Sequence, residues 1–165
     1  MCSSDLPDGG PRYLGGAVRH DPKGRLTTSK DAISACLRAA LADANVAADR
    51  IDFVEAHASG TQLDLAEAEA LSEVVGRRAA VHAPKAHFGS PLGAAGLVNL
   101  VFGLMALQHH RVPGNINVFE KDLAIESLVD CYHRGHDLPK AATALVDCFG
   151  FGGTNAAVVI GWEEE

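Results

Sequence analysis

The chain has 165 residues, a formal net charge of −7, 47% hydrophobic residues and 21% charged residues. That supports one compact domain with a well-filled core and excludes a disordered chain. An acidic balance offers no basic patch, which excludes nucleic acid and anionic membranes as main partners; the longest apolar stretch, residues 93–107, is too short to span a bilayer.

The cysteines at 2, 36, 131 and 148 form no C-x-x-C pair and no zinc spacing. Cys36 and Cys148 read as reduced core thiols, and Met1 to Asp5 lacks the basic and apolar regions of a signal peptide, so a cytoplasmic protein is expected.

Residues 1–12, rich in Pro, Gly and Asp, read as a loose tail, with one domain over residues 13–165. A strand is expected over residues 13–18, stopped by the turn signal Asp21-Pro22-Lys23-Gly24. Ser29 reads as an N-cap, and Ile33, Leu37, Ala40, Leu41 and Ala44 follow at helical spacing up to Asn45. Residues 51–56 read as a strand, 65–75 as a helix closed by Gly76, and 79–83 as a strand. Residues 94–110 form a helix with little polarity on any side, which predicts burial all round. Two strands, 144–149 and 156–162, close the chain as a hairpin. The order is βαβαβαββ, an α/β unit.

Three segments carry a family resemblance. Val54-Glu55-Ala56-His57-Ala58-Ser59-Gly60-Thr61, continued by Glu67-Ala68-Glu69-Ala70-Leu71, resembles the V-E-A-H-G-T-G-T and E-A-E-A-L segments of β-ketoacyl synthases, with one apparent single-residue deletion. Lys85-Ala86-His87-Phe88-Gly89-Ser90 through Gly96 is similar to their K-S-N-x-G-H-x-x-x-A-A-G segment. Cys148-Phe149-Gly150-Phe151-Gly152-Gly153-Thr154-Asn155-Ala156 is similar to S-F-G-F-G-G-T-N-A. The resemblance implies half of a thiolase-like fold, the C-terminal half, with a mixed sheet and a buried central helix. It also implies chemistry in which a cysteine of the N-terminal half captures an acyl chain from an acyl carrier protein. Two histidines of the C-terminal half then hold a malonyl thioester carbonyl during decarboxylative condensation.

By this resemblance His57 is the first catalytic histidine, and Ser90 occupies the position of the second. A hydroxyl lacks the reach and the imidazolium form of histidine, so decarboxylation is expected to be largely lost. Thr61, Lys85, Gly150, Phe151 and Gly152 match the acyl-binding part of the site. Phe151 matches the aromatic gate, and the glycines match the loop whose N–H groups form the oxyanion hole. The bland alternative for that loop is a tight turn that needs glycine. Lys85 is expected to keep a structural ion pair. Asn99 stands where many members carry a glutamate, and His87 reads as a half-exposed loop histidine. Cys2-Ser3-Ser4 superficially resembles the nucleophile segment, but Pro7, Gly9 and Gly10 rule out the long helix that the nucleophile must open. Cys131, His133 and His136 are assigned to the surface, and neither metal nor cofactor is expected.

The leading expectation is a non-catalytic partner subunit, similar to a chain length factor, that binds a full-length ketosynthase as a heterodimer, with an acyl carrier protein as a further partner. The family's acyltransferase activity is not expected of the chain on its own. The alternatives are the C-terminal half of a split β-ketoacyl synthase, a self-associating homo-oligomer, and a hydrolase using Ser90. The last lacks a nucleophile elbow. The strand through which subunits of this family pair lies in the N-terminal half, so the resemblance leaves the contact surface unspecified.

Overall fold

A computed structural model describes residues 9–22, 28–131, 134–140 and 142–163; Cys2, His133 and residues 1–8 of the expected tail lie outside them. Strand β1 (Gly10–His20) starts before the expected Tyr13 and pairs antiparallel along its length with the last strand. Helix α1 (Lys30–Ala44) begins at Ser29, whose Oγ accepts the Ala32 N–H at 3.3 Å while Ser29 N–H and O–H both donate to Asp21. It ends at Asn45, whose left-handed backbone (φ 52°) closes the last turn. Both boundaries sit where the capping residues predict them.

The chain continues through β2 (Phe53–Glu55), α2 (Leu63–Val74), β3 (Ala80–His82), the single-turn α3 (Lys85–Phe88) and α4 (Ala95–Gln108). Then come β4 (Arg111–Pro113), α5 (Leu123–Leu128), β5 (Gly135–Asp137), β6 (Thr143–Gly150) and β7 (Thr154–Glu163). α3, α5, β4 and β5 were not expected; each is too short to show a period in sequence. The main sheet has the order β1-β7-β6-β2-β3: β2 runs parallel to both β3 and β6, and β7 runs antiparallel to both β1 and β6. This is a mixed α/β sheet with the expected closing hairpin.

Strand alternation divides the core in two. Val54, Leu145 and Val159 pack on one face with Ile33, Leu37 and Leu71 of α1 and α2. Phe53, Val146 and Ile160 pack on the other face with Ala106 and Leu107 of α4. α4 approaches closely because Gly103 lacks a side chain: a Cβ there would lie 3.1 Å from Ile160 Cδ1 and 3.3 Å from Val146 Cγ2. Burial all round does not hold for α4. Asn99, Gly103 and Ala106 face the sheet, whereas Leu97, Val101 and Met105 are 66%, 45% and 49% exposed. The described residues supply no second layer to cover the apolar outer face.

Candidate functional site

His57 follows β2 at the C-terminal end of the parallel strand pair, and its main chain is held from both sides. Its N–H lies 2.6 Å from Asp147 Oδ1 and 2.7 Å from Glu67 Oε1, and its carbonyl accepts a hydrogen bond from the Lys85 ammonium. The next N–H, of Ala58, donates to Glu67 Oε2 at 2.9 Å. Asn99 Nδ2 reaches in from α4 to the carbonyls of Ala56 (2.9 Å) and Asp147 (3.3 Å). Lys85 therefore contacts a carbonyl rather than forming the expected direct ion pair, because the acids sit at the other end of the same residue's main chain.

The His57 ring packs on Phe149, with centroids 5.1 Å apart, and its Nδ1 accepts the Phe149 N–H at 3.2 Å. Burial, reinforced by the Lys85 charge, lowers the imidazole pKa to about 4. Neutral His57 with Nδ1 accepting must carry its proton on Nε2. The group is thus a fixed neutral donor, able to give one hydrogen bond to a carbonyl oxygen or to a developing enolate.

The other positions singled out lie at the exposed rim. Thr61 Oγ1 pairs with Ser59 Oγ at 2.8 Å and accepts the Leu63 N–H, in a turn whose Ser59 and Gly60 N–H groups donate to Asp64. Ser90 is exposed and follows Gly89, whose φ of 85° makes the turn out of α3. Gly150, Phe151 and Gly152 lie at and just beyond the end of β6, leading into β7; Phe151 is 78% exposed, and Gly152 takes φ 85°. Among the described residues none of these five hydrogen-bonds to His57.

Two features were not read from sequence. His87 is not a simple loop histidine: it stands on α3, and its Nε2 lies 3.0 Å from Nε2 of buried His82, whose Nδ1 lies 2.7 Å from Glu55 Oε2. Burial raises the Glu55 pKa and lowers that of His82 to about 4, which favours the neutral form of both groups. The only sequence signal was a charged residue inside an otherwise apolar strand. The second feature is a cavity of about 170 Å³ between α2 and α5, lined by Ala58, Leu71, Val81, Ile125, Val129 and Cys131. Cys131 is thus half-buried rather than a surface residue, and burial pushes its thiol up to about 11. His136 is exposed and lies 3.2 Å from Asp130. Among the described residues no three His, Cys, Asp or Glu side chains gather as a metal site.

A family model described as "Beta-ketoacyl synthase, C-terminal domain" matches residues 12–119. The chain is 32% identical over 128 residues to 3-oxoacyl-[acyl-carrier-protein] synthase 2 of Rhizobium meliloti (strain 1021), covering 76% of this chain and 30% of that protein. It is 33% identical over 169 aligned positions to the PKS-NRPS hybrid synthetase acdB of Aspergillus candidus, covering 88% of this chain and 7% of that protein. Among solved structures, the ishigamide ketosynthase/chain length factor superposes with a TM-score of 0.83 at 28% identity, over 90% of this chain and 37% of that one. The chain spans well under half the length of each of these three proteins. It belongs to the β-ketoacyl synthase family and carries the C-terminal half of that family's thiolase-like fold.

Proposed function

We propose that this chain serves fatty acid or polyketide synthesis as a ketosynthase-like partner subunit without condensing activity of its own, in the manner of a chain length factor. The observation that carries this reading is the exposed hydroxyl of Ser90 where the family's second histidine is expected. Decarboxylation leaves charge on the thioester oxygen, and two fixed donors stabilise it far better than one. The open apolar face of α4 supplies a surface for a complete ketosynthase, and Phe151 at the rim would shape that partner's acyl cavity. An acyl carrier protein would deliver the chain to the partner's cysteine.

A second reading, the C-terminal half of a split condensing enzyme, is favoured by the neutral Nε2–H donor at His57. One experiment separates the two. The protein that co-purifies with this chain, a full-length ketosynthase on the first reading and a separately encoded N-terminal half on the second, is assayed with it for condensation, with His57→Ala and Ser90→His introduced into this chain. As a partner subunit, His57→Ala leaves the rate within about threefold of the parent complex. Loss of more than about 100-fold, the size of a removed oxyanion donor, with a gain from Ser90→His, would establish the split enzyme instead.

A further inference from the structure

The two acids behind His57 have a role of their own. A single N–H, that of His57, lies 2.6 Å from Asp147 Oδ1 and 2.7 Å from Glu67 Oε1, so the two carboxyls converge on one donor. Both side chains are almost wholly removed from water. Two bare carboxylates that share one donor in a low-dielectric interior repel strongly, and one proton shared between them relieves the repulsion. The negative charge that remains faces a buried cation, the Lys85 ammonium at the carbonyl end of the same residue.

We propose that Glu67 and Asp147 form a proton-sharing carboxyl pair, balanced by Lys85, that positions His57 as a neutral Nε2–H donor. Asp147 is the informative member. It stands on β6 two residues before Phe149, so the strand that grips the His57 N–H also presents the N–H that fixes the ring at Nδ1. Loosening the grip lets the ring slip away from its donor. Asn99 ties the same two segments together with a neutral amide, leaving the charge balance to the acids and Lys85.

Other titratable groups face the pair. Asp64 on α2 is occupied by the Ser59 and Gly60 N–H groups, Cys36 lies on α1, and Cys148 neighbours Asp147 on β6; burial raises both thiols. None of these offers a second cation, so Lys85 alone balances the pair among the described residues. The pair's protonation concerns the state of the site and does not depend on whether the assembled protein condenses acyl groups.

Carboxyl ¹³C and imidazole ¹⁵N spectra of the full chain, alone or in the complex with which it co-purifies, test it against pH. The parent protein should lose the two protons of the pair in two separated steps, with one proton retained after the first. Asp147→Asn and Glu67→Gln should each leave a single carboxyl step and keep the Nε2–H tautomer, because an amide replaces the shared proton. Asp147→Ala should bring the two His57 ring-nitrogen shifts together and raise its titration by at least about one pH unit. A merely structural contact would move stability without moving tautomer or titration. Should the alanine variant fail to fold, Asp147→Asn decides alone: a Glu67 titration unchanged from the parent overturns the proposal. Two carboxyls titrating together in the ordinary range overturn it equally.

Discussion

The outer face of α4 gives the sharpest prediction about assembly. Leu97, Val101 and Met105 lie four residues apart along one stripe, 66%, 45% and 49% exposed. Fully burying an aliphatic side chain is worth about 1.5–3 kcal/mol, so covering the exposed parts of these three yields about 2–5 kcal/mol, or roughly 30- to 3000-fold in Kd. Replacing all three with glutamine removes that gain and leaves the sheet-facing Asn99, Gly103 and Ala106 untouched; glutamine is also a good helix former. Circular dichroism should show an unchanged helix content. Light scattering should show a monomer where the parent chain associates, and titration against the co-expressed ketosynthase should show affinity weakened by at least about 30-fold. If the parent chain is already a monodisperse monomer that binds no apolar dye, or if the triple variant binds its partner as tightly as the parent, the face is not an interface.

Two further predictions concern the interior. His57 and His82 should remain neutral at pH 5 and take up protons only near pH 4, seen in imidazole ¹⁵N shifts; ordinary titration between pH 6 and 7 would show that water reaches them. Because both folded-state values lie below the unfolded 6.5, each histidine favours the folded state fully above that pH and loses its contribution as pH falls from 6.5 towards 4. The raised carboxyls of Glu55, Glu67 and Asp147 oppose this, because their folded forms bind protons more readily than the unfolded chain does. Gly103→Ala should cost about 1–3 kcal/mol in urea unfolding, the usual size of overpacking, since its methyl meets Ile160, Val146 and Glu55. No loss of stability would mean that α4 shifts freely on the sheet.

What the sequence made legible was local in origin. Ser29 and Asn45 bracket α1 because capping is decided within a few residues, and the closing hairpin shows because β6 and β7 are apolar strands joined by glycine. The family segments pointed to His57, Lys85 and Ser90 separately. That Glu67 and Asp147 meet beneath His57 depends on α2 and β6 converging on one main-chain segment, which no periodicity records. A wholly apolar α4 gives the period of a helix without saying which side this chain covers. The Glu55–His82–His87 chain was missed for a related reason: three polar residues on β2, β3 and α3 become neighbours only through the parallel pairing of Glu55 with His82.

The strand order also bears on how the protein is made. β6 lies between β2 and β7, and β1 is held through β7, with Gly16 opposite Val158. During synthesis β1, α1, β2 and β3 leave the ribosome long before the strands that join them, so the sheet cannot close until the last segment emerges. Such nonlocal pairing bears the loop-closure entropy before any contact rewards it, which makes folding slower than that of a helical bundle with local contacts. A nascent chain stopped before Thr143 would hold two strand fragments with no strand between them. The GFGGTN turn therefore has a second importance besides its place at the rim: it brings β7 back alongside β6, and so lets the earliest strand find its place.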